Sequence, residues 1–196
     1  MAFKKISEIR KLFWKKKVIL FDLDGTLYLG GRILPGARDL LWKLKRAGKT
    51  FFYLTNNSSR SEADYLKKLK AYDFPVELSQ IVMSTHLLIS ILKKKRISRV
   101  YLLGTPAMQK MLRRRGIRHS EKPQVVVVGF DKTLTYEKLE MACRLVEVGC
   151  PYIVTHPDLY CPTEKGPEPD CGAFAKVIEL VTKKPPILVL GKPNPL

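Results

Sequence analysis

The stretch Val18-Ile19-Leu20-Phe21-Asp22-Leu23-Asp24-Gly25-Thr26-Leu27 constrains this chain more than any other. An apolar run of strand type stops at two carboxylates one residue apart, and a glycine and a hydroxyl residue follow at once. In an extended segment, residues i and i+2 point to the same side, so Asp22 and Asp24 can face one site beyond the strand's carboxyl end. Open α/β sheets place their ligand sites at that end. Two acids this close repel unless a cation or a shared proton relieves them. The simplest relief is a hard, oxygen-seeking metal such as Mg²⁺. The plainer alternative is a strand followed by an Asp-Gly turn.

The rest of the chain repeats the alternation that such a strand begins. Ala37, Leu40, Leu41, Leu44 and Ala47 recur at helical spacing, and Gly48 stops them. Thr50–Leu54 reads as a second buried strand running into Thr55-Asn56-Asn57-Ser58-Ser59, with a helix over 60–71. Strands are expected at 81–83, 99–103, 125–128, 152–155 and 187–190. Helices are expected at 85–95 (capped by Ser84), 106–115, 136–148 (capped by Thr135) and 172–183. Residues 27–35 and the Pro/Gly-rich 157–169 read as irregular loops. Within residues 1–17, Phe3, Ile6, Ile9 and Phe13 predict a short basic amphipathic helix that docks on the protein's own core. The fold class is α/β, with a parallel sheet and right-handed crossovers.

Composition narrows the partners. The net charge is +18, from 36 Lys+Arg against 18 Asp+Glu, which attracts anions, nucleic acid included. The basic clusters at 15–17, 93–96, 113–115 and 183–184 each adjoin a helix end, where cations suit the dipole. No RNA- or DNA-binding motif accompanies them, so nucleic acid is not the expected partner. No apolar run is long enough to span a bilayer, and the N-terminus lacks the pattern of a secretory signal. Cys143, Cys150, Cys161 and Cys171 form no CxxC pair, which argues against zinc and for free thiols in the cytoplasm.

Three polar clusters each follow a strand: Asp22/Asp24, Thr55-Asn56-Asn57, and Gly191-Lys192-Pro193-Asn194. Parallel strands of one sheet bring their carboxyl ends to one edge, so the three can converge. Carboxylates, a hydroxyl with amides, and a lysine make a set suited to phosphoryl transfer. Each cluster also has a plain reading as a cap or a turn.

At this point the chain resembles the haloacid dehalogenase superfamily of aspartate-nucleophile phosphatases. Asp22-Leu23-Asp24-Gly25-Thr26, Leu54-Thr55-Asn56-Asn57 and Gly191-Lys192-Pro193 are similar to its first three motifs. The wording TNNSS and GKPNP, with Val128-Gly129-Phe130-Asp131 and Thr155-His156-Pro157-Asp158, resembles the NagD-like, 4-nitrophenylphosphatase-type branch. The resemblance implies a Rossmann-like core with an inserted α/β cap. It implies a core over 1–82, a cap over 83–183, and a returning core strand with the third motif over 184–196. It further implies a Mg²⁺-dependent phosphatase acting on small phosphorylated metabolites through an aspartyl-phosphate. Asp22 would be the nucleophile and Asp24 the acid–base. Thr55 and the Asn56 N–H would hold the phosphoryl group, and Lys192 would offset charge. Asp22 and the Asp24 carbonyl would be the metal ligands. Asp131, His156 and Asp158 in the cap are candidate substrate contacts, with a satisfied structural histidine as the alternative for His156.

The family's fourth, acidic motif would follow Leu196, and the chain stops there. Three expectations follow: weak metal binding, an open sheet edge that invites self-association, and an alternative function as an impaired module that binds phosphorylated ligands or a partner without turnover.

Overall fold

A computed structural model describes residues 6–194. Phe3 and the side chains of Ile6 and Ile9 lie outside the described part. The N-terminal helix is present as α1 (Ile6–Lys15), and its Phe13 and Trp14 pack on the first core cluster.

The first sheet is parallel and three-stranded, ordered β1 (Val18–Asp22), β4 (Thr50–Thr55), β5 (Ile81–Met83). Between β1 and β4 lie a small hairpin, β2 (Tyr28–Leu29) and β3 (Arg32–Ile33), and helix α2 (Ala37–Arg46); α3 (Glu62–Ala71) links β4 to β5. The hairpin occupies part of the span expected to be irregular. Alternation along β4 buries Phe51, Tyr53 and Thr55. Phe51 and Tyr53 pack with Leu41 and Leu44 of α2 and Tyr65 and Leu69 of α3.

The second sheet has five parallel strands in the order β12 (Leu188–Val189), β9 (Tyr152–Val154), β8 (Val125–Val128), β6 (Arg99–Leu103), β7 (Arg118–His119). All four residues of β8 are buried, as befits a central strand covered on both faces. On one face lie α4 (Ser84–Lys94) and α5 (Pro106–Arg114), against Val100, Leu102, Val125 and Val127. On the other lie α6 (Tyr136–Glu147) and α7 (Cys171–Thr182), against Tyr101, Leu103, Val126 and Val128. The span 157–169, expected to be a loop, contains an antiparallel hairpin of β10 (Tyr160–Thr163) and β11 (Gly166–Pro169).

Two expectations are corrected. The strand near 187–190 does not return to the first sheet. β12 pairs with β9, Leu188 opposite Ile153 and Val189 opposite Val154, because α7 makes a crossover that sets it beside the strand it left. Ser84 does not cap α4; the cap position is Met83, and the Ser84 hydroxyl donates to the Asn56 carbonyl at 2.7 Å. Thr135 does cap α6, its Oγ1 accepting from Lys138 N at 3.3 Å. Among the described residues no helix is long and apolar enough to cross a membrane.

Candidate active site

The carboxyl ends of the two sheets face one another, and the predicted clusters meet between them. β1 ends at Asp22. Leu23, fully buried, anchors the turn, and its carbonyl accepts from Thr26 N and Leu27 N at 3.2 and 3.0 Å. Gly25 at φ 83° makes the left-handed bend. The turn folds Thr26 back on the strand, so its Oγ1 donates to Asp22 Oδ2 at 3.0 Å. Lys192 Nζ pairs with the other oxygen, Asp22 Oδ1, and reaches the Leu54 carbonyl at 3.3 Å. Lysine and carboxylate are 170 residues apart in sequence. They meet across the gap between two sheets rather than along one sheet edge.

Asp24 lies deeper. Burial, chiefly, holds its carboxyl above the usual carboxylate range; the charge of Asp22 adds to this and the Lys68 ammonium partly offsets it. Tyr28 OH is at 3.5 Å from Asp24 Oδ2. Lys68 Nζ sits 3.9 Å from the centroid of the Tyr28 ring, and burial pulls its own pKa down. The two acids thus differ: Asp22 is held by a lysine and a hydroxyl, while burial biases Asp24 toward keeping its proton.

The segment Thr55–Ser59 divides between site and joint. Thr55 is buried, and its Oγ1 accepts from Asn57 N at 3.1 Å. Asn57 Oδ1 closes the loop onto Ser59 N and Oγ at 2.9 and 2.7 Å. Ser58 Oγ is fully buried; it accepts from Phe130 N at 2.8 Å and lies 3.0 Å from Thr155 Oγ1. Thr105 Oγ1 donates to the Ser59 carbonyl at 2.7 Å. A strand-end loop of the first sheet is therefore seated on loops of the second.

These groups line a cavity of about 370 Å³, within the range of small-molecule pockets. Asp22, Asp24, Thr55, Asn56 and Lys192 form one wall, and Asp158, Tyr160, Cys161, Pro162 and Asp170 the other. The Cys161 thiol is pushed up to about 11 by burial and then by the carboxylates of Asp24 and Asp170, so it stays a neutral wall group.

The cap candidates separate. Asp158 lines the cavity and its Oδ2 accepts from Asn56 Nδ2 at 2.9 Å. Asp131 does not reach it. Its side chain is buried and closes its own turn, with Lys138 Nζ at 3.0 Å and Thr133 N and Oγ1 at 2.8 and 2.6 Å. His156 is fully buried between Thr155 Oγ1, at 3.0 Å from Nδ1, and Asp170 Oδ1, at 2.9 Å from Nε2. It is a satisfied internal histidine, and its partner Asp170 is the group that faces the cavity. Sequence reasoning missed Asp170, although an acid just before a helix is an N-cap signal and its side chain does cap α7. It also missed Tyr160, Cys161 and Pro162, which the prolines of the hairpin hid.

Comparison with known proteins places the chain in a family. Residues 19–118 match the family described as haloacid dehalogenase-like hydrolase. The 5'-nucleotidase YutF of Bacillus subtilis is 32% identical over 180 residues, covering 91% of this chain and 70% of the relative. The sugar-phosphatase AraL of the same organism is 33% identical, covering 90% and 66%. The crystal structure of 4-nitrophenylphosphatase from Thermotoga maritima superposes with a TM-score of 0.87 at 43% identity, covering 92% of this chain and 70% of that one. The chain spans from 66% to 70% of the length of these three proteins. The chain belongs to the haloacid dehalogenase-like hydrolases, in their NagD-like, 4-nitrophenylphosphatase-type branch of phosphoric monoester hydrolases.

Proposed function

We propose that this chain hydrolyses small phosphomonoesters with Mg²⁺ bound, through an aspartyl-phosphate on Asp22. The observation that carries this reading is the meeting of Asp22, Thr55, Asn56 and Lys192 around one small cavity. The names of the relatives, a 5'-nucleotidase, a sugar-phosphatase and a 4-nitrophenylphosphatase, support phosphorylated metabolites as the substrate class. The four free cysteines support the cytoplasm as the compartment.

Thr26 and Lys192 hold the Asp22 carboxylate so that one oxygen is aimed at phosphorus. The carboxylate forms the bond to phosphorus as the ester oxygen leaves. Asp24, which burial biases toward its protonated form, delivers a proton to that oxygen. It then takes a proton from the water that attacks the acyl phosphate, regenerating Asp22 and releasing phosphate. Thr55 Oγ1 and the Asn56 N–H hold equatorial phosphoryl oxygens, and the Lys192 ammonium offsets their charge.

The donors at the mouth of β1 fit a hard divalent cation: a half-exposed Asp22 carboxylate and the adjoining Asp24 carbonyl, all oxygen, with room for water and phosphate oxygens. Bound there, Mg²⁺ would neutralise charge between an anionic nucleophile and an anionic substrate. Asp22→Asn tests the reading. It should abolish turnover of 4-nitrophenyl phosphate while leaving the circular dichroism spectrum unchanged. Turnover that persists in the variant, or that is indifferent to chelation of Mg²⁺, overturns it.

A further inference from the structure

Asn56 does more than its place in the second motif requires. Its side-chain amide brackets the backbone of residue 192: Oδ1 accepts from Lys192 N at 2.8 Å, and Nδ2 donates to the Lys192 carbonyl at 3.0 Å. It acts toward that residue as a neighbouring strand would, although the two lie 136 positions apart. The amide is fixed from a third direction, since Nδ2 also donates to Asp158 Oδ2 at 2.9 Å. An ionised carboxylate only accepts, so a flipped amide would set oxygen against oxygen at both Asp158 and the Lys192 carbonyl. Asn56's own backbone is held by Ser84 Oγ, 2.7 Å from its carbonyl. Gly191 completes the arrangement: a Cβ there would lie 2.7 Å from Asn56 Oδ1 and 2.9 Å from the Thr155 carbonyl, so only glycine lets the amide approach.

We propose that the Asn56 side chain, oriented by Asp158, is the positioning residue that sets the Lys192 ammonium against Asp22. This deepens the phosphatase reading and rests on it for its kinetic consequence. It gives Asp158, expected from sequence to touch substrate, a different job: it holds the amide that holds the lysine. Among the described residues, the side chain that ties the backbone of residue 192 to the first sheet's loops is that of Asn56. Removing its contacts leaves Lys192 to find Asp22 by its own long, flexible chain.

The test uses Asn56→Ala, Asp158→Ala, Asp158→Asn and Lys192→Met in the full chain, with two readouts. Amide hydrogen exchange at Lys192, followed by NMR, reads the clamp without reference to catalysis. Asn56→Ala should speed exchange at that amide at least about tenfold, as the loss of its acceptor requires. Asp158→Ala should act in the same direction but less, and Asp158→Asn should restore protection because an amide oxygen can accept from Nδ2. The second readout is kcat/KM for 4-nitrophenyl phosphate. Asn56→Ala should lower it roughly 10- to 100-fold, the scale of a misplaced catalytic group. In a Lys192→Met background the same change should add less than about twofold, because a residue acting through Lys192 has nothing left to position. Unchanged exchange at Lys192, or losses that simply multiply in the double variant, overturns the proposal. A wild-type chain without phosphatase activity overturns the functional reading instead, and the exchange experiment still judges the clamp.

Discussion

Among the described residues, the second sheet is closed on both faces, and the first is covered on one. In the second, the chain runs from β6 to β7 in one direction and from β8 through β9 to β12 in the other. With right-handed crossovers, that reversal puts α5 on one face, where α4 also packs as the chain enters from β5, and α6 and α7 on the other. In the first, β1, β4 and β5 advance in a single direction, so α2 and α3 fall on the same side, where α1 also docks. The opposite face of the first sheet carries Val18 and Leu20, 53% and 62% exposed, with half-buried Phe52 and Leu54 and with Val82 beside them. Identical local rules, a buried parallel strand followed by an amphipathic helix, yield a sandwiched sheet or an open one depending on the direction of travel. The cavity draws on both: the closed sheet's loops supply one wall, and the open sheet supplies Asp22, the proposed nucleophile.

The sharpest way to break this comparison is to put the same charge in both sheets. Val127→Asp, at a fully buried position in β8, should cost more than about 4 kcal/mol and abolish cooperative folding. Leu20→Asp in β1 should stay within about 0.5 kcal/mol of wild type. Chemical denaturation reads both, and equal losses would show the first sheet's outer face to be covered after all. A second contrast uses two glycines at the junction. Gly191→Ala meets backbone and the Asn56 amide at a φ of 73°, and should cost roughly 1–3 kcal/mol. At Gly129 an added Cβ would lie 2.7 Å from Met108 Sδ, the far end of a flexible chain, so Gly129→Ala should cost less than Gly191→Ala in thermal unfolding.

A smaller effect concerns pH. The Asp24 carboxyl titrates higher in the folded protein than in the unfolded chain, so the folded state binds the proton more tightly. Stability therefore falls as pH rises from the unfolded carboxylate pKa to the raised folded one, and levels off above it. Asp24→Asn should be more stable than wild type at pH 7, with the difference gone below the unfolded value. A constant gap across that range of denaturation curves would remove burial as the cause. The smallest expected effect is on association. Wild type should show weak concentration-dependent self-association by sedimentation, through the exposed face that carries Val18 and Leu20, and Leu20→Lys should reduce it. Sedimentation identical in the two would show that this face takes no part.

The elements with local signatures were legible in advance. The strand ending at Asp22, the helices with apolar residues at spacings of three and four, and the cap at Thr135 depend on neighbours in sequence. The three polar clusters that line the cavity were legible for the same reason. What stayed hidden depends on partners far along the chain. Nothing in Leu188-Val189 says that it pairs with Ile153-Val154 rather than with the first sheet. Nothing after the strand at 125–128 says that Asp131 turns inward to Lys138 rather than outward. The hairpin at 160–169 was masked by Pro162, Pro167 and Pro169. Prolines are tolerated there because a two-stranded ribbon has outer edges that need no donor.

The tip of that hairpin touches the loop of the β2–β3 hairpin: Glu164 Oε1 accepts from Gly31 N at 3.0 Å, an exposed bond. Ser58 and Ser59, by contrast, are knitted into the second sheet's loops by buried contacts to Phe130, Thr155 and Thr105. A lone solvated hydrogen bond contributes about 0.5–1.5 kcal/mol, whereas breaking a buried polar set strands several groups at about 1–3 kcal/mol apiece. The two tethers between the sheets' loops are thus unequal in strength: the glutamate tip lets go of the glycine pair at far less cost than the serine seam can part.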